Sequence, residues 1–224
     1  MSVHFQRQMD KLKQSMLNLS ALVEANFQEA IDAVRQRDAK EGQRVIERDR
    51  DIDLKEVDIE EECLATLALY QPVAHDLRFI VAVLKMNHDL ERIGDLAANI
   101  AGHAIEMSKA EPVGDDACGL YEMASKAQMM LKRSLDALVN LDADLADEVR
   151  RMDDDVDSLH GTMYDRVEQQ MRQKPDLLTN HIRLLSCGRH VERIADHATN
   201  IAKDVVYLVR GEIIRHARKR GLKV

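Results

Sequence analysis

The chain has 224 residues, a formal charge of -8, 45% hydrophobic and only 3% aromatic residues, with three prolines and nine glycines. That length and hydrophobic content allow one large domain or two small ones with a real core, and the abundance of helix formers points to an all-α protein. The acidic balance argues against a general nucleic-acid binder, which needs clustered Lys and Arg to displace counterions from phosphates.

Apolar residues recur at helical spacing from Phe5 to about Val34, so the first predicted helix ends where the polar turn RQRDAKEGQ begins. A second helix is predicted from about Lys40 to Tyr70, a turn around Pro72, and a third helix from about His75 to Met107. SKAEPVGDDACG, residues 108 to 119, concentrates Pro, Gly and acids and reads as a linker. The plan then restarts, with a helix to about Asn140, a turn at LDAD, a helix to about Arg172, a turn around Pro175 and a last helix to about Arg218. The predicted division is residues 1–108, a linker over 109–118, and residues 119–224. The expected fold is two tandem, pseudo-symmetric antiparallel three-helix bundles with six long helices.

The repeat is written most plainly in ERIGDLAANIA, residues 91–101, and ERIADHATNIA, residues 192–202, an offset of 101. The preceding helices also align, since Asp49, Ile52, Asp53, Ile59 and Cys63 match Asp153, Val156, Asp157, Met163 and Val167 at an offset of 104. The difference of three falls in the proline turns.

With about 100° of rotation per residue, the motif has two faces. Ile93, Leu96 and Ile100 form an apolar face suited to a bundle core, while Glu91, Asp95 and Asn99 form a polar stripe that a core does not require. Glu192, Asp196 and Asn200 repeat it. On the preceding helix, Asp49, Asp53, Glu56 and Glu60 share one face, whereas the second copy reads Asp153, Asp157, His160 and Tyr164. Across the antiparallel turn, Asp53 and Glu91 are each nineteen residues from Pro72, and Asp49 and Asp95 each twenty-three. In the second half Asp157 and Glu192 are eighteen and seventeen residues from Pro175, with Asp153 and Asp196 at twenty-two and twenty-one. Four carboxylates are therefore expected at matching heights in each half.

Such an arrangement destabilises a bundle unless protons, arginines or metal ions compensate it. Two readings stand. Carboxylates on facing helices are the usual ligands of dinuclear iron or manganese, which predicts one metal site or small cluster per half. Alternatively, Arg92 and Arg193 neutralise the acids as interhelical ion pairs. His88 falls on the acidic side and is a possible extra ligand in the first half only, where its counterpart is Arg189. His190 and His197 lie toward the apolar side and read as core or interface histidines.

Cys63, Cys118 and Cys187 are scattered and odd in number, which fits unpaired thiols in a reducing compartment. The start, MSVHFQRQMDKLKQ, lacks a signal-type apolar core and no run reaches membrane-span length, so a cytoplasmic location is expected. The basic tail Arg215, Arg218, Lys219, Arg220 and Lys223 suits a helix C-terminus. No nucleophile-base constellation and no phosphate-cradling motif of the GxxxxGK[ST] or GxGxxG type is visible.

ERIGD and ERIAD, each continued by N-I-A, the two three-helix halves and the turn element QPVAHDLR together resemble the PhoU family of accessory and regulatory proteins of phosphate-specific transport. The resemblance covers nearly the whole chain. It implies a two-bundle helical fold and, as in some members, multinuclear iron or zinc bound through an E/D-x-x-x-D motif. Here Glu91 with Asp95, Glu192 with Asp196, Asp49 with Asp53 and Asp153 with Asp157 match that motif. It further implies a homodimeric regulator rather than an enzyme. Such a regulator signals phosphate sufficiency between the ATPase subunit of a phosphate ABC transporter and a membrane histidine kinase, represses the phosphate-starvation regulon and restrains uptake. Membrane association would come only through those partners. Two other classes remain open: a dinuclear metal-dependent helical-bundle oxidase or hydrolase, and a metal-free structural scaffold.

Overall fold

The computed structural model describes residues 3–114 and 117–211. Among them are six long α-helices: α1 Val3–Gln36, α2 Ala39–Tyr70, α3 Ala74–Met107, α4 Leu120–Asn140, α5 Ala143–Gln173 and α6 Leu178–Arg210. There is no strand among the described residues. The two tandem three-helix bundles expected from the sequence are present, with α1, α2 and α3 in one and α4, α5 and α6 in the other.

Turn chemistry repeats with the helices. Asp38 caps α2 by accepting hydrogen bonds from the backbone N–H groups of Lys40 and Glu41, and Asp142 caps α5 by accepting from those of Asp144 and Leu145. The two caps are 104 residues apart, the offset already seen along α2 and α5. Gly211, with φ of 74°, takes the left-handed conformation and caps α6 after Arg210, and the expected end near Arg218 lies outside the described residues. The basic cluster Arg215, Arg218, Lys219, Arg220 and Lys223 lies outside the described residues.

Helices α3 and α6 are central, each packing on both other helices of its own bundle and on each other. Their ERI-D segments therefore sit in the middle of the molecule. Along the antiparallel α3–α6 seam, Asp89 and His197 approach to 2.8 Å, Lys85 Nζ lies 3.3 Å from Asp204 Oδ1, and Arg183 lies 3.7 Å from Glu106. His103 stacks on His190 at 5.6 Å between centroids. Burial together with neighbouring His103 and Arg193 pushes His190 down to about 4, so this contact is made by neutral rings at neutral pH. His190 and His197 are thus interface histidines, as their position on the wheel implies.

The described residues between the halves are anchored to both bundles. Val113 and Cys118 are buried, Arg37 donates to the carbonyls of Ser108 and Ala110, and Asn180 donates to the carbonyl of Glu111.

Helices α2 and α5 are different in kind. Each buries one narrow stripe, Val45, Ile52, Ile59, Cys63 and Thr66 in α2 and Val149, Val156, Met163 and Val167 in α5. The rest of each helix is mostly polar apart from exposed apolar side chains such as Leu54, Leu64 and Tyr164, and acidic side chains at the edge of the stripe lie toward the neighbouring inner helix. Buried Asn87 sets the register in the first half by donating to the carbonyl of Glu56 at 2.8 Å.

Candidate metal centre

Helices α2 and α3 approach closely where ERIGD has its glycine. A Cβ placed on Gly94 would lie 2.9 Å from Asp49 Oδ1 and 3.1 Å from two side-chain carbons of Ile52. The absent side chain leaves room for the Asp49 carboxylate against the α3 backbone. Asp49, Asp53 and Asp95 there each present an oxygen within 4.8 Å of the others. Asp49 Oδ1 is buried and has no hydrogen-bond partner.

The electrostatic consequence is an anion held at a cost. Burial, followed by the charges of Asp53, Asp95 and Glu91, pushes Asp49 up from 3.8 to about 7. Burial and Asp95 also raise Glu91, against the lowering effect of Arg92 and His88. Arg92 Nη1 lies 3.0 Å from Asp95 Oδ2 and its Nε 3.4 Å from Glu91 Oε2, so it neutralises the α3 side of the cluster. It makes no ion pair with Asp49. Both of the Arg92 pairs lie within α3, the expected interhelical ion pairs of Arg92 and Arg193 do not form among the described residues, and Asp49 Oδ1 and Glu91 Oε2 are left without hydrogen-bond partners.

Equal distance from Pro72 brings Asp49 and Asp95 together. Glu91 stands outside the tight group of three, and besides Asp49 the α2 carboxylate whose charge it feels is Glu56. His88 is largely exposed, 3.8 Å from Glu91 Oε2. Asn99 turns its amide back to the carbonyl of Asp95, so it serves the helix rather than the cluster.

The second half is built differently. Asp153 Oδ1 accepts a hydrogen bond from Thr199 Oγ1 at 3.2 Å. Burial and mutual repulsion raise Asp153, Glu192 and Asp196, with Asp157 among the charges responsible in each case. These four side chains therefore form one electrostatic cluster, but among the described residues no three of them converge as closely as Asp49, Asp53 and Asp95 do. His160 sits edge-on to Tyr164 at 5.1 Å, and its Nε2 is buried without a partner.

Two functional positions were passed over in the sequence, and both had a signal there. The motif copies differ at three positions, Gly94 against Ala195, Leu96 against His197 and Ala98 against Thr199. Of these, Gly94 faces Asp49 and Thr199 faces Asp153.

The donor set suits a hard divalent cation. Carboxylate oxygens are its preferred ligands, and the orphaned Asp49 oxygen lacks the positive partner that a buried anion requires. Asp49, Asp53 and Asp95 are the residues placed to hold it, with Glu91 at the rim.

A domain model described as PhoU matches residues 16–104 and again residues 120–205. The phosphate-specific transport system accessory protein PhoU homolog of Pseudomonas aeruginosa is 36% identical over 218 residues, covering 96% of this chain and 89% of that protein. The corresponding homolog of Synechocystis is 34% identical, covering 93% and 92% of the two chains. Among solved structures, PhoU from Pseudomonas aeruginosa superposes with a TM-score of 0.90 at 35% identity, over 93% of this chain and 100% of that one. The phosphate transport system regulatory protein PhoU from Streptococcus pneumoniae gives 0.85 at 28% identity, over 93% and 98%.

Proposed function

The chain belongs to the PhoU family, and from that premise we propose that it is a regulator of phosphate homeostasis rather than an enzyme. It signals phosphate sufficiency between the ATPase subunit of a phosphate ABC transporter and a membrane histidine kinase, keeps the starvation regulon repressed and restrains uptake. The observation that carries this reading is the pair of domain matches spanning both bundles, with relatives over most of the chain named as accessory or regulatory proteins of phosphate transport. A cytoplasmic homodimer that reaches the membrane through its partners fits the same role. Among the described residues no helix is long and apolar enough to cross a membrane.

Iron, zinc or manganese is the proposed ligand. One site per half is formed by Asp49, Asp53, Glu91 and Asp95 within residues 1–108 and by Asp153, Asp157, Glu192 and Asp196 within residues 119–224, joined through 109–118. Support comes from the orphaned oxygen of Asp49 and the convergence of three carboxylates. A bound cation would supply the positive charge that the cluster lacks and reverse its repulsion of phosphate or of an acidic partner surface.

The test pairs elemental analysis of untagged protein, purified without chelator, with a phosphate-starvation reporter. Both are applied to wild type and to a variant with Glu91 and Glu192 changed to Gln and Asp95 and Asp196 to Asn. Metal and phosphate-dependent repression should both be lost from a variant that retains its helical circular dichroism. Repression that survives loss of the metal would make the acidic sites irrelevant to signalling. Constitutive repression or no effect on deleting the whole gene would overturn the regulatory role.

A further inference from the structure

We infer that the two acidic sites are unequal: the first half takes up a divalent cation before the second, and Gly94 and Thr199 set the difference. This rests on the cation reading above and concerns what the chain itself does to each site.

The two copies present the same acids on different floors. In the first half the position facing the α2 carboxylate is Gly94, and Asp49 Oδ1 occupies the space that a Cβ would fill. Next along that face is Ala98, which has no donor. Asp49 is therefore half-buried, with its Oδ1 shielded from solvent and without a hydrogen-bond partner, and close to Asp53 and Asp95. In the second half the same two positions are Ala195 and Thr199. Thr199 is 4% exposed and its hydroxyl donates to Asp153 Oδ1 at 3.2 Å. The carboxylate equivalent to Asp49 is thus already satisfied, and the acids around it are spread more widely.

At the α2 carboxylate the two differences act in one direction. A cation entering the first site relieves an uncompensated, half-buried anion and displaces no protein hydrogen bond. A cation entering the second must draw Asp153 away from Thr199 and gather acids that do not yet converge. His160 and Tyr164, in place of Glu56 and Glu60, also remove two negative charges from the second rim. The halves therefore fill in sequence rather than together, and a half-loaded protein is a distinct state between empty and full.

Calorimetric titration of chelator-treated, untagged full-length protein with Mn2+, and with Fe2+ under argon, tests this. Two phases are expected, with Asp49→Asn removing the tighter and Asp153→Asn the weaker. A single phase that Asp49→Asn alone abolishes also supports the inference. Thr199→Ala should tighten the weaker phase about tenfold, the scale of one hydrogen bond to a charged group, while Thr199→Ser leaves it as in wild type. Gly94→Ala should weaken the tighter phase. If the Gly94 variant does not fold, the Thr199 pair carries the test. Equal affinities, a tighter phase removed by Asp153→Asn, or no change with Thr199→Ala would overturn the inference and leave cation binding standing. No uptake of either cation at any concentration would overturn the cation reading itself.

Discussion

Replacing Asp49 by Asn should make the metal-free protein more stable while destroying the first cation site. Asp49 is raised from 3.8 to about 7, so its contribution is fully favourable below pH 3.8, where it is protonated folded or unfolded, and is lost progressively as pH rises from there through 7. At about 1.36 kcal/mol per unit, that interval sets a ceiling of about 4 kcal/mol on the cost of ionising Asp49 in the fold at pH 8. Because the side chain is only half-buried, solvent screening reduces this to about 1–2 kcal/mol. For a chain of this size that corresponds to a rise in Tm of about 4 °C for Asp49→Asn at pH 8, falling to roughly a third of that at pH 5, where Asp49 is protonated in the fold but still ionised in the unfolded chain. Differential scanning calorimetry of chelator-treated protein at the two pH values measures this directly. Saturating Mn2+ should reverse the order at pH 8, since a ligand at a hundred times its Kd adds about 2.7 kcal/mol to the wild type and little to the variant. A variant no more stable than wild type at pH 8, or an equal gain at pH 5 and pH 8, would refute the claim that Asp49 is a strained anion awaiting a cation.

Other expectations follow from the same structure. A cation must displace the Asp49 proton, so apparent affinity at the first site should fall about tenfold per unit as pH drops below 7 and level off above it, as read by titration at several pH values. Asp38→Ala and Asp142→Ala should each cost about 1 kcal/mol in urea unfolding, because each removes the acceptor for two orphan N–H groups at a helix start. Cys63 and Cys187 are fully buried and pushed up to about 12, so a thiol reagent at pH 8 should modify them only as fast as the protein opens. Rapid labelling of either in the native protein would contradict the packing of α2 or α6.

The histidines show where a helical wheel suffices. Assigning His190 and His197 to an interface needed only their angle from Glu192, because burial on an inner helix follows from periodicity alone. The same wheel placed Glu91 and Asp95 on one stripe. It carried no information on how closely α2 approaches α3, and that distance separates a group of three carboxylates from a looser row of four. Asn99, on the same stripe, is taken by its own helix at the carbonyl of Asp95.

Six helices, their turns, the duplication and the acidic faces were legible in the chain because each is written in local periodicity or in offset-matched residues. Tertiary packing decided that α3 and α6 are the inner helices and that Asp49 is left without a partner. It also decided that a missing methyl at Gly94 and an added hydroxyl at Thr199 make two similar motifs into different sites. Those outcomes depend on interhelical distances of a few ångströms, which arise from the sum of all the core contacts and are encoded in no single stretch of the chain.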